Sequence, residues 1–263
     1  MGIVNVTPDS FSDGGKFLDQ SAAVEHARRL VEEGADIIDV GGESTRPYAQ
    51  PVEEGEELAR VLPVIEELVG TIPVPISVDT RKPMVARAAL EAGVEILNDV
   101  EGLRRPEMRE IAAEFLPGVC VMHMRETPET MQDDPTYEDV VAEVCSYLAR
   151  RRDELVAMGI SADRVCLDPG IGFGKRTQHN VSLLRGVDRL LALGAPVLIG
   201  HSRKGFLGKL MGDMEADRTA ATVGVAVAMA MAGVTVLRVH DVLAVRRAVE
   251  CALAVASGSA FDR

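Results

Sequence analysis

Short apolar runs rich in Val and Ile alternate along the chain with longer stretches in which apolar residues recur at helical spacing. The runs that we predict to be strands are residues 3–7, 36–41, 75–79, 95–99, 119–124, 165–168, 196–200 and 234–240. The predicted helices are residues 22–33, 54–68, 85–92, 137–158, 181–193, 219–231 and 242–256. Glycine ends several of these helices, as C-cap chemistry favours; these are Gly34, Gly93, Gly159, Gly194 and Gly233.

This alternation predicts an α/β fold, the (β/α)8 TIM barrel, whose buried parallel strands read as apolar runs. A doubly wound open sheet would alternate too, but eight units in 263 residues fit the barrel better. No linker or break in composition divides the chain, so we predict a single domain over residues 1–263. The uncharged segment between Arg218 and Arg238 is nearly long enough to cross a bilayer. Gly233 divides it into an Ala-rich helix and a β-branched strand, which argues against a membrane span.

Composition narrows the classes of function. The formal net charge of -13 argues against broad nucleic-acid binding, which needs a basic surface. The four cysteines are widely spaced and form no C-x-x-C pair, which favours a reduced, cytoplasmic protein over a disulfide scaffold. The first residues, MGIVNVTPDS, also lack the pattern of a signal peptide.

Polar side chains stand at the carboxyl end of every predicted strand. They include Asn5, Asp39, Asp79, Asn98, His123, Asp168, Ser202 and His240. The long irregular segments 8–19, 43–52 and 125–136 also follow strands. Because barrel active sites lie at this end of the strands, the pattern predicts one pocket where these groups converge, rather than strands that simply run out into solvent.

The residue types indicate the chemistry of that pocket. The carboxylates and amide of Asp79, Asn98 and Asp168 can bind the N–H groups at the edge of a planar heterocycle. A metal cluster is the competing interpretation, but no His or Cys spacing supports a zinc site. Cationic groups after strands 2, 7 and 8 suit phosphate or diphosphate oxygens; they are Arg46, Arg203, Lys204, Arg238 and His240. The loop 7–15 has the composition of an active-site lid. The glycine-rich segment 170–175 lacks Walker A spacing, so an ATP site is not indicated.

Two long motifs identify a family. Residues 5–15, NVTPDSFSDGG, and 41–47, GGESTRP, resemble the two N-terminal signatures of the dihydropteroate synthases. The resemblance continues in order through residues 77–80, 98–99, 122–124, 167–175, 202–204 and 238–241, and so covers essentially the whole chain. That family adopts a (β/α)8 barrel, in agreement with the alternation.

The resemblance implies a reaction and its participants. The expected reaction joins (7,8-dihydropterin-6-yl)methyl diphosphate to 4-aminobenzoate, giving 7,8-dihydropteroate and diphosphate in folate biosynthesis. Diphosphate leaves first in similar enzymes, so the substitution forms a cation. The family also implies Mg2+, inhibition by sulfonamides, and a homodimer that pairs through the last two helices.

The matching motifs assign the site residues by resemblance. The residues expected around the pterin are Asp79, Asn98, Met122, Asp168 and Lys204. Those expected to bind the diphosphate are Asn5, Arg46, Arg238 and His240, with Asn5 also bound to the metal ion. Those expected in the 4-aminobenzoate pocket are Phe11, Thr45, Pro47, Phe173 and Ser202. The groups expected to act in catalysis are Asp79, Asp168, Lys204, Arg238 and His240.

Two other functions share parts of this pattern. A related barrel that transfers methyl groups from methyltetrahydrofolate to a corrinoid protein could share the Asp and Asn contacts to the pterin. It would not need the cationic groups or the loop 5–15. A silent paralogue that only binds a pterin is the second alternative, although every motif residue is present.

Overall fold

Eight parallel strands alternate with helices in the computed structural model, which describes residues 1–7, 16–44, 50–126, 131 and 133–258. The strands are β1 (Gly2–Asn5), β2 (Ile38–Gly41), β3 (Ile76–Asp79), β4 (Ile96–Asp99), β5 (Gly118–Met122), β6 (Val165–Asp168), β7 (Leu198–Ile199) and β8 (Val236–Leu237). The helices are α1 (Lys16–Glu32), α2 (Glu54–Leu68), α3 (Pro83–Glu91), α4 (Pro106–Phe115), α5 (Val140–Ala157), α6 (Thr177–Arg185), α7 (Val187–Leu191), α8 (Gly205–Met211), α9 (Thr219–Met231) and α10 (Val242–Ser257).

Backbone hydrogen bonds close the strands into a ring. Strands β1 to β6 pair in chain order, and β7 pairs with β8. The Leu167 amide donates to the Pro196 carbonyl at 2.8 Å and so joins β6 to the segment before β7. On the other side, the Ile3 amide donates to Val239 at 3.1 Å, and the Val239 amide donates to Met1 at 3.0 Å. The predicted barrel is therefore confirmed, because no strand is left as an open edge in this ring.

The side chains of each strand alternate between two environments. The residues that point outward pack with helix residues in one large hydrophobic core; examples are Val4, Val40, Val78, Leu97, Val121 and Leu167. Because successive side chains point to opposite faces, their neighbours face the barrel interior. Asp39, Asp79, Asn98 and Asp168 are such neighbours, so the strand pattern itself directs these polar groups inward.

The helix and strand predictions need corrections at several elements. Helices α4 and α8 were not predicted, and the predicted helix 181–193 is two helices, α6 and α7, separated at Gly186. Strands β7 and β8 are each two residues long, much shorter than the predicted segments 196–200 and 234–240. Helix α5 begins at Val140 rather than at residue 137, and α1 begins at Lys16 rather than at residue 22.

The glycine predictions agree with the structure. Gly34, Gly93, Gly159, Gly194 and Gly233 all have positive φ, the conformation that glycine adopts without strain at a helix end. None of the helices in the described part of the chain has both the length and the apolar character that a bilayer span needs.

Candidate active site

The register of the strands brings the predicted polar groups into one row. Asn5 pairs with Gly41, Gly41 with Asp79, and Asp79 with Asn98. The row continues from Asn98 to Cys120 and then to Cys166, and Met122 pairs with Asp168 one step further along the strands. Three residues that the sequence predicts in the pocket, Asn5, Asp79 and Asn98, therefore lie side by side at the same end of the barrel.

An arginine directly after β8, Arg238, binds one carboxylate of this row, Asp79, and a second carboxylate on β2, Asp39. Arg238 Nε donates to Asp39 Oδ2 at 2.6 Å, and Arg238 Nη2 donates to Asp79 Oδ2 at 2.6 Å. Asn98 Nδ2 donates to the same Asp39 oxygen at 3.1 Å. The Asp39 side chain is fully buried, and its Oδ1 has no hydrogen-bond partner among the described residues. This cluster holds the arginine side chain across the barrel interior.

Asp39 is a site residue to which the sequence analysis assigned no role. The signal was present, because Asp39 lies at an inward position within an otherwise apolar strand, between Ile38 and Val40. A buried carboxylate at such a position needs a cationic or hydrogen-bonding partner. The partner, Arg238, is 199 positions away and could not be identified from the local pattern.

Burial and the neighbouring charges shift the pKa values of Asp79 and Arg238. It raises the pKa of Asp79 to about 7; Arg238 opposes this change, and the nearby carboxylates of Asp39, Glu57 and Asp99 add to it. For Arg238 the two carboxylates outweigh burial, so its pKa is raised above the ordinary value. The guanidinium therefore stays charged over the pH range in which the protein is studied, whereas Asp79 titrates near neutrality.

Asp168 and Lys204 form the opposite side of the site. Asp168 Oδ1 accepts a hydrogen bond from the Gly170 amide at 2.7 Å, and burial raises the pKa of Asp168 against the effect of Lys204. Lys204 Nζ donates to the Ile171 carbonyl and lies 4.3 Å from the centroid of the Phe173 ring. Burial lowers the pKa of Lys204 to about 8, with Asp168 opposing.

Phe173 joins this side of the site to Met122. Met122, 3% exposed, belongs to a small apolar cluster with Val100, Met124 and Met131, and the Phe173 ring packs against that cluster. An apolar wall thus lies beside the carboxylates of the pocket, which suits a flat ring system.

Ser202 and His240 meet where β7 and β8 end. Ser202 Oγ lies 3.0 Å from His240 Nδ1, and it accepts a hydrogen bond from the His240 amide at 3.2 Å. The neighbouring Arg203 has a φ of 56° and pairs with Asp241, Nε to Oδ2, at 2.9 Å. The structure therefore brings Ser202 and His240 together and pairs Arg203 with a carboxylate of the same rim.

Buried ion pairs connect the loops around the rim. Glu43 accepts from Arg81 Nε at 3.1 Å and from the Val52 amide at 3.0 Å. Lys82 Nζ lies 3.3 Å from Glu43 and donates to the fully buried Glu57 at 2.5 Å. These contacts fix both ends of the segment that carries Thr45, Arg46 and Pro47. Those three predicted site residues, and Phe11, lie outside the described residues.

Within the described ranges, no group of three or more His, Cys, Asp or Glu side chains is placed to hold a metal ion. The four cysteines are free thiols. Cys120 and Cys166 lie opposite each other on β5 and β6, in the row that contains Asp79.

We expect that Arg238→Met destabilises the fold by about 3–5 kcal/mol at about pH 8, because it leaves two buried carboxylates without their cation. Loss of the arginine raises the folded-state pKa of Asp79 further above its unfolded value, so the loss of stability grows as the pH rises and fades as the carboxylate gains a proton. Urea unfolding at about pH 5.5 and about pH 8 measures this difference.

The matched control is Arg246→Met, which removes a half-exposed arginine that pairs with Asp36 and Glu250. Exposed pairs of this kind contribute about 0–1 kcal/mol, so the control is expected to lose little stability at either pH. Equal losses for Arg238→Met at the two pH values would contradict the assignment of Arg238 as the partner of the titrating Asp79 carboxylate.

Comparisons with known proteins agree on one family. Residues 1–240 match the model of the pterin binding enzymes. Dihydropteroate synthase of Escherichia coli (strain K12) is 44% identical over 265 residues, which cover 100% of this chain and 94% of that protein. The Xanthomonas albilineans dihydropteroate synthase with 4-aminobenzoic acid is 48% identical with a TM-score of 0.91, covering 97% of this chain and 92% of that one.

Two further solved structures that resemble this chain contain bound ligands. The Xanthomonas albilineans enzyme in complex with 7,8-dihydropteroate has a TM-score of 0.88 at 46% identity, with 97% of this chain and 92% of that one covered. The Yersinia pestis enzyme in a sulfonamide drug complex has a TM-score of 0.91 at 42% identity, with 97% and 93% covered. The chain therefore belongs to the pterin-binding enzyme family, among its dihydropteroate synthases.

Proposed function

We propose that this chain joins (7,8-dihydropterin-6-yl)methyl diphosphate to 4-aminobenzoate, releasing diphosphate and giving 7,8-dihydropteroate for folate biosynthesis. The observation that carries the proposal is the convergence of Asp79, Asn98, Asp168 and Lys204 beside the apolar wall of Met122 and Phe173. The family membership supports it, as do the 4-aminobenzoic acid and 7,8-dihydropteroate complexes of the Xanthomonas albilineans relative.

The pterin end of the substrate fits the acidic side of the pocket. Ionised Asp79 and Asp168 can accept hydrogen bonds from the ring N–H and NH2 groups of a pterin. The Asn98 NH2 group donates to Asp39, which leaves the amide oxygen of Asn98 as the acceptor for the ligand. Lys204 is the donor on the opposite side, where its Nζ already binds a carbonyl oxygen.

The diphosphate fits the cationic side, with Asn5, Arg46, Arg238 and His240 as its proposed ligands. Two N–H groups of Arg238 bind Asp39 and Asp79, and a guanidinium carries five N–H donors in total. One arginine can therefore bind the carboxylates of the pterin site and the leaving group at once.

Mg2+ is the proposed cofactor, with Asn5 as its protein ligand. The amide oxygen of Asn5 is a hard donor of the kind that Mg2+ accepts, and this ion usually keeps waters and binds substrate phosphates rather than a full protein cage. A site completed by substrate oxygens is compatible with the donor set around Asn5. When bound, the ion supplies charge stabilisation to the departing diphosphate.

The proposed mechanism is a substitution in which diphosphate leaves before the arylamine attacks. Arg238 and His240 stabilise the negative charge on the leaving group. Asp79 and Asp168 stabilise the positive charge that develops on the pterin. The arylamine is neutral and needs no strong base, so the protein has to orient it; its proposed pocket contains Phe11, Thr45, Pro47, Phe173 and Ser202. Sulfonamides are proposed to compete at the same place.

The chain is proposed to act as one pterin-binding domain over residues 1–263, in the cytoplasm. The pairing of Val239 with Met1 and Ile3, which joins the two ends of the barrel, supports the single domain. The four free thiols support a reducing compartment.

The experiment that tests the proposal measures diphosphate release from the dihydropterin diphosphate in Mg2+, with and without 4-aminobenzoate. Release coupled one-to-one to dihydropteroate, and blocked by a sulfonamide, is the expected result. Pterin binding without release would instead indicate a silent paralogue or the methyl-transferring barrel, and transfer from methyltetrahydrofolate would separate these two.

We expect Asp79→Asn or Lys204→Ala to lower kcat/KM by about 10²–10⁴-fold, because each removes a charged group that contacts the reacting pterin. Circular dichroism should still show a folded protein. The controls are Asp188→Asn and Lys209→Ala, which change exposed residues on α7 and α8. Near-normal turnover by either site variant would contradict the assigned roles.

The raised pKa of Asp79 and the lowered pKa of Lys204 predict how pterin binding depends on pH. Binding requires the Asp79 carboxylate, so affinity should fall as the pH drops below about 7. It also requires the Lys204 ammonium, so affinity should fall again as the pH rises above about 8. Calorimetric titration with a 6-hydroxymethyl-7,8-dihydropterin, which lacks the diphosphate, measures this profile without titration of the leaving group. A flat profile would show that neither group titrates in the site.

We infer that two copies of the chain pair through α9 and α10. These helices pack against each other and border a shallow apolar groove of about 470 Å³. Met231 at 49% exposure and Val255 at 85% lie on it. We expect a dimeric mass in sedimentation, and a monomer for Met231→Glu combined with Val255→Glu. The control Met84→Glu changes a methionine on α3 that is 51% exposed and does not line the groove, so it should stay dimeric. A monomeric unmodified chain would contradict the pairing.

A further inference from the structure

The turn between β6 and α6 presses closely against the rest of the site. Gly170, Gly172 and Gly174 all have positive φ, between 59° and 85°. A Cβ at Gly170 would lie 2.0 Å from the His123 carbonyl oxygen, and one at Gly172 would lie 2.9 Å from Lys204 Cδ. Only glycine fits at such close approach and in this conformation. The turn, residues 170–175, therefore has a defined path between the end of β5 and Lys204.

Lys175 ends this turn and is buried within it, with only 3% of its surface exposed. Its Nζ lies 2.9 Å from the Phe173 carbonyl oxygen, 3.2 Å from the His123 carbonyl oxygen and 3.1 Å from His123 Nδ1. An ammonium has three N–H donors, and three acceptors surround it. One acceptor belongs to the turn and two belong to the segment after β5, so the side chain ties these two segments together.

The link that Lys175 makes between these two segments does not depend on the charge of the lysine. Burial lowers the pKa of Lys175 to about 7 and that of His123 to about 2, so the imidazole is neutral. With a charged lysine, His123 Nδ1 is an acceptor. With a neutral amine, two N–H groups still reach the two carbonyls, and the third contact reverses when His123 carries its proton on Nδ1. Both carbonyls are bound in either state.

The hydrogen bond from Lys175 holds the backbone of Phe173. The Phe173 amide donates to the Gly170 carbonyl at 3.0 Å, and its own carbonyl binds Lys175. With its backbone held at both groups, the Phe173 ring lies 4.3 Å from Lys204 Nζ and packs against the Met122 cluster. Lys204 Nζ binds a different carbonyl of the same turn, that of Ile171, which Lys175 does not contact.

We propose that Lys175 is a positioning residue for the arylamine: by binding the Phe173 and His123 carbonyls it sets the position of the ring against which 4-aminobenzoate packs. The proposal rests on the proposed synthase function. In this proposal Lys175, which is 3% exposed, acts through Phe173 and not by contact with a substrate. Small displacements of a positioning group reduce productive binding, because the aligned geometry is lost.

The test is Lys175→Met, which keeps an unbranched side chain of similar length and removes all three hydrogen bonds. We expect the KM for 4-aminobenzoate and the inhibition constant of a sulfonamide to rise together by about tenfold. A change of this size corresponds to the net free energy of roughly one buried hydrogen bond. The KM for the dihydropterin diphosphate and kcat at saturating 4-aminobenzoate should stay within about twofold. Equal changes in both KM values would overturn the proposal.

Tyr137→Phe is the matched control. The Tyr137 hydroxyl donates to the Gly174 carbonyl at 2.8 Å, so this variant removes one hydrogen bond from the same turn but leaves Lys175 and Phe173 in place. Its 4-aminobenzoate KM is expected to stay within about twofold of the unmodified chain. A rise equal to that of Lys175→Met would show that any loosening of the turn has this effect, and would overturn the specific role of Lys175.

A double-variant cycle tests the route through Phe173. If Lys175 acts by holding Phe173, Lys175→Met should add nothing to the 4-aminobenzoate KM of Phe173→Ala. Multiplying effects would overturn the proposal. If Lys175→Met does not fold, Lys175→Gln keeps two N–H donors at shorter reach, and the same selective rise, smaller in size, is expected. Lack of turnover by the unmodified chain would overturn the proposed function and this proposal together, whereas turnover with an unchanged 4-aminobenzoate KM in the variant would overturn this one alone.

Discussion

The guanidinium of Arg238 binds Asp39 and Asp79 inside the barrel, across 199 and 159 positions of the chain. Three charged groups in a largely buried space cost free energy unless they are paired with good geometry, and here both contacts are 2.6 Å long. The pairing requires that the segment after β8 lie opposite β2 and β3, which only a closed ring of strands provides. It also keeps Asp79 in place while burial raises its pKa towards neutrality. Arg238 therefore fixes the position of the Asp79 carboxylate and opposes the rise that burial gives to its pKa.

Much of the fold could be predicted because each buried strand appears in the sequence as an apolar run, regardless of which strands it pairs with. Two helices, α4 and α8, were missed for different reasons. Helix α8 has seven residues, two of them glycine, and buries only Phe206, Leu207 and Gly208, so neither propensity nor periodicity marks it. Helix α4 does have a helical signal, because its buried residues Met108, Ile111 and Ala112 recur at helical spacing, and this short stretch was overlooked. Strands β7 and β8 are short because the ladder there is continued by isolated contacts, such as those of Val197 and Val239, rather than by regular pairing.

The positions of candidate site residues were predictable where a residue lies at a strand end. Asp79, Asn98 and Asp168 lie at such ends and converge in the structure. Asp39 and Lys175 illustrate the limit, because each depends on a partner that the local sequence does not indicate: Arg238 for Asp39, and His123, 52 positions earlier, for Lys175. A buried charge signals that some partner exists, but its identity comes only from the closed three-dimensional arrangement.

Burial shifts the pKa values on the two sides of the pocket in opposite directions, and this fits a reaction in which charge separates. Burial makes Asp79 and Asp168 more basic and Lys204 more acidic, so each group is less stable in its charged form than it would be in water. A ligand that offers N–H donors to the carboxylates and an acceptor to the lysine restores the stabilisation of the charged forms that burial removed.

The charged carboxylates are stabilised further when positive charge develops on the proposed pterin cation beside them. In the proposed function, Arg238 binds Asp39 and Asp79 and also the diphosphate, so it does not have to move as negative charge accumulates on the leaving group. Such an arrangement is set before the reaction begins, which is the condition under which electrostatic stabilisation lowers a barrier without a cost of reorganisation.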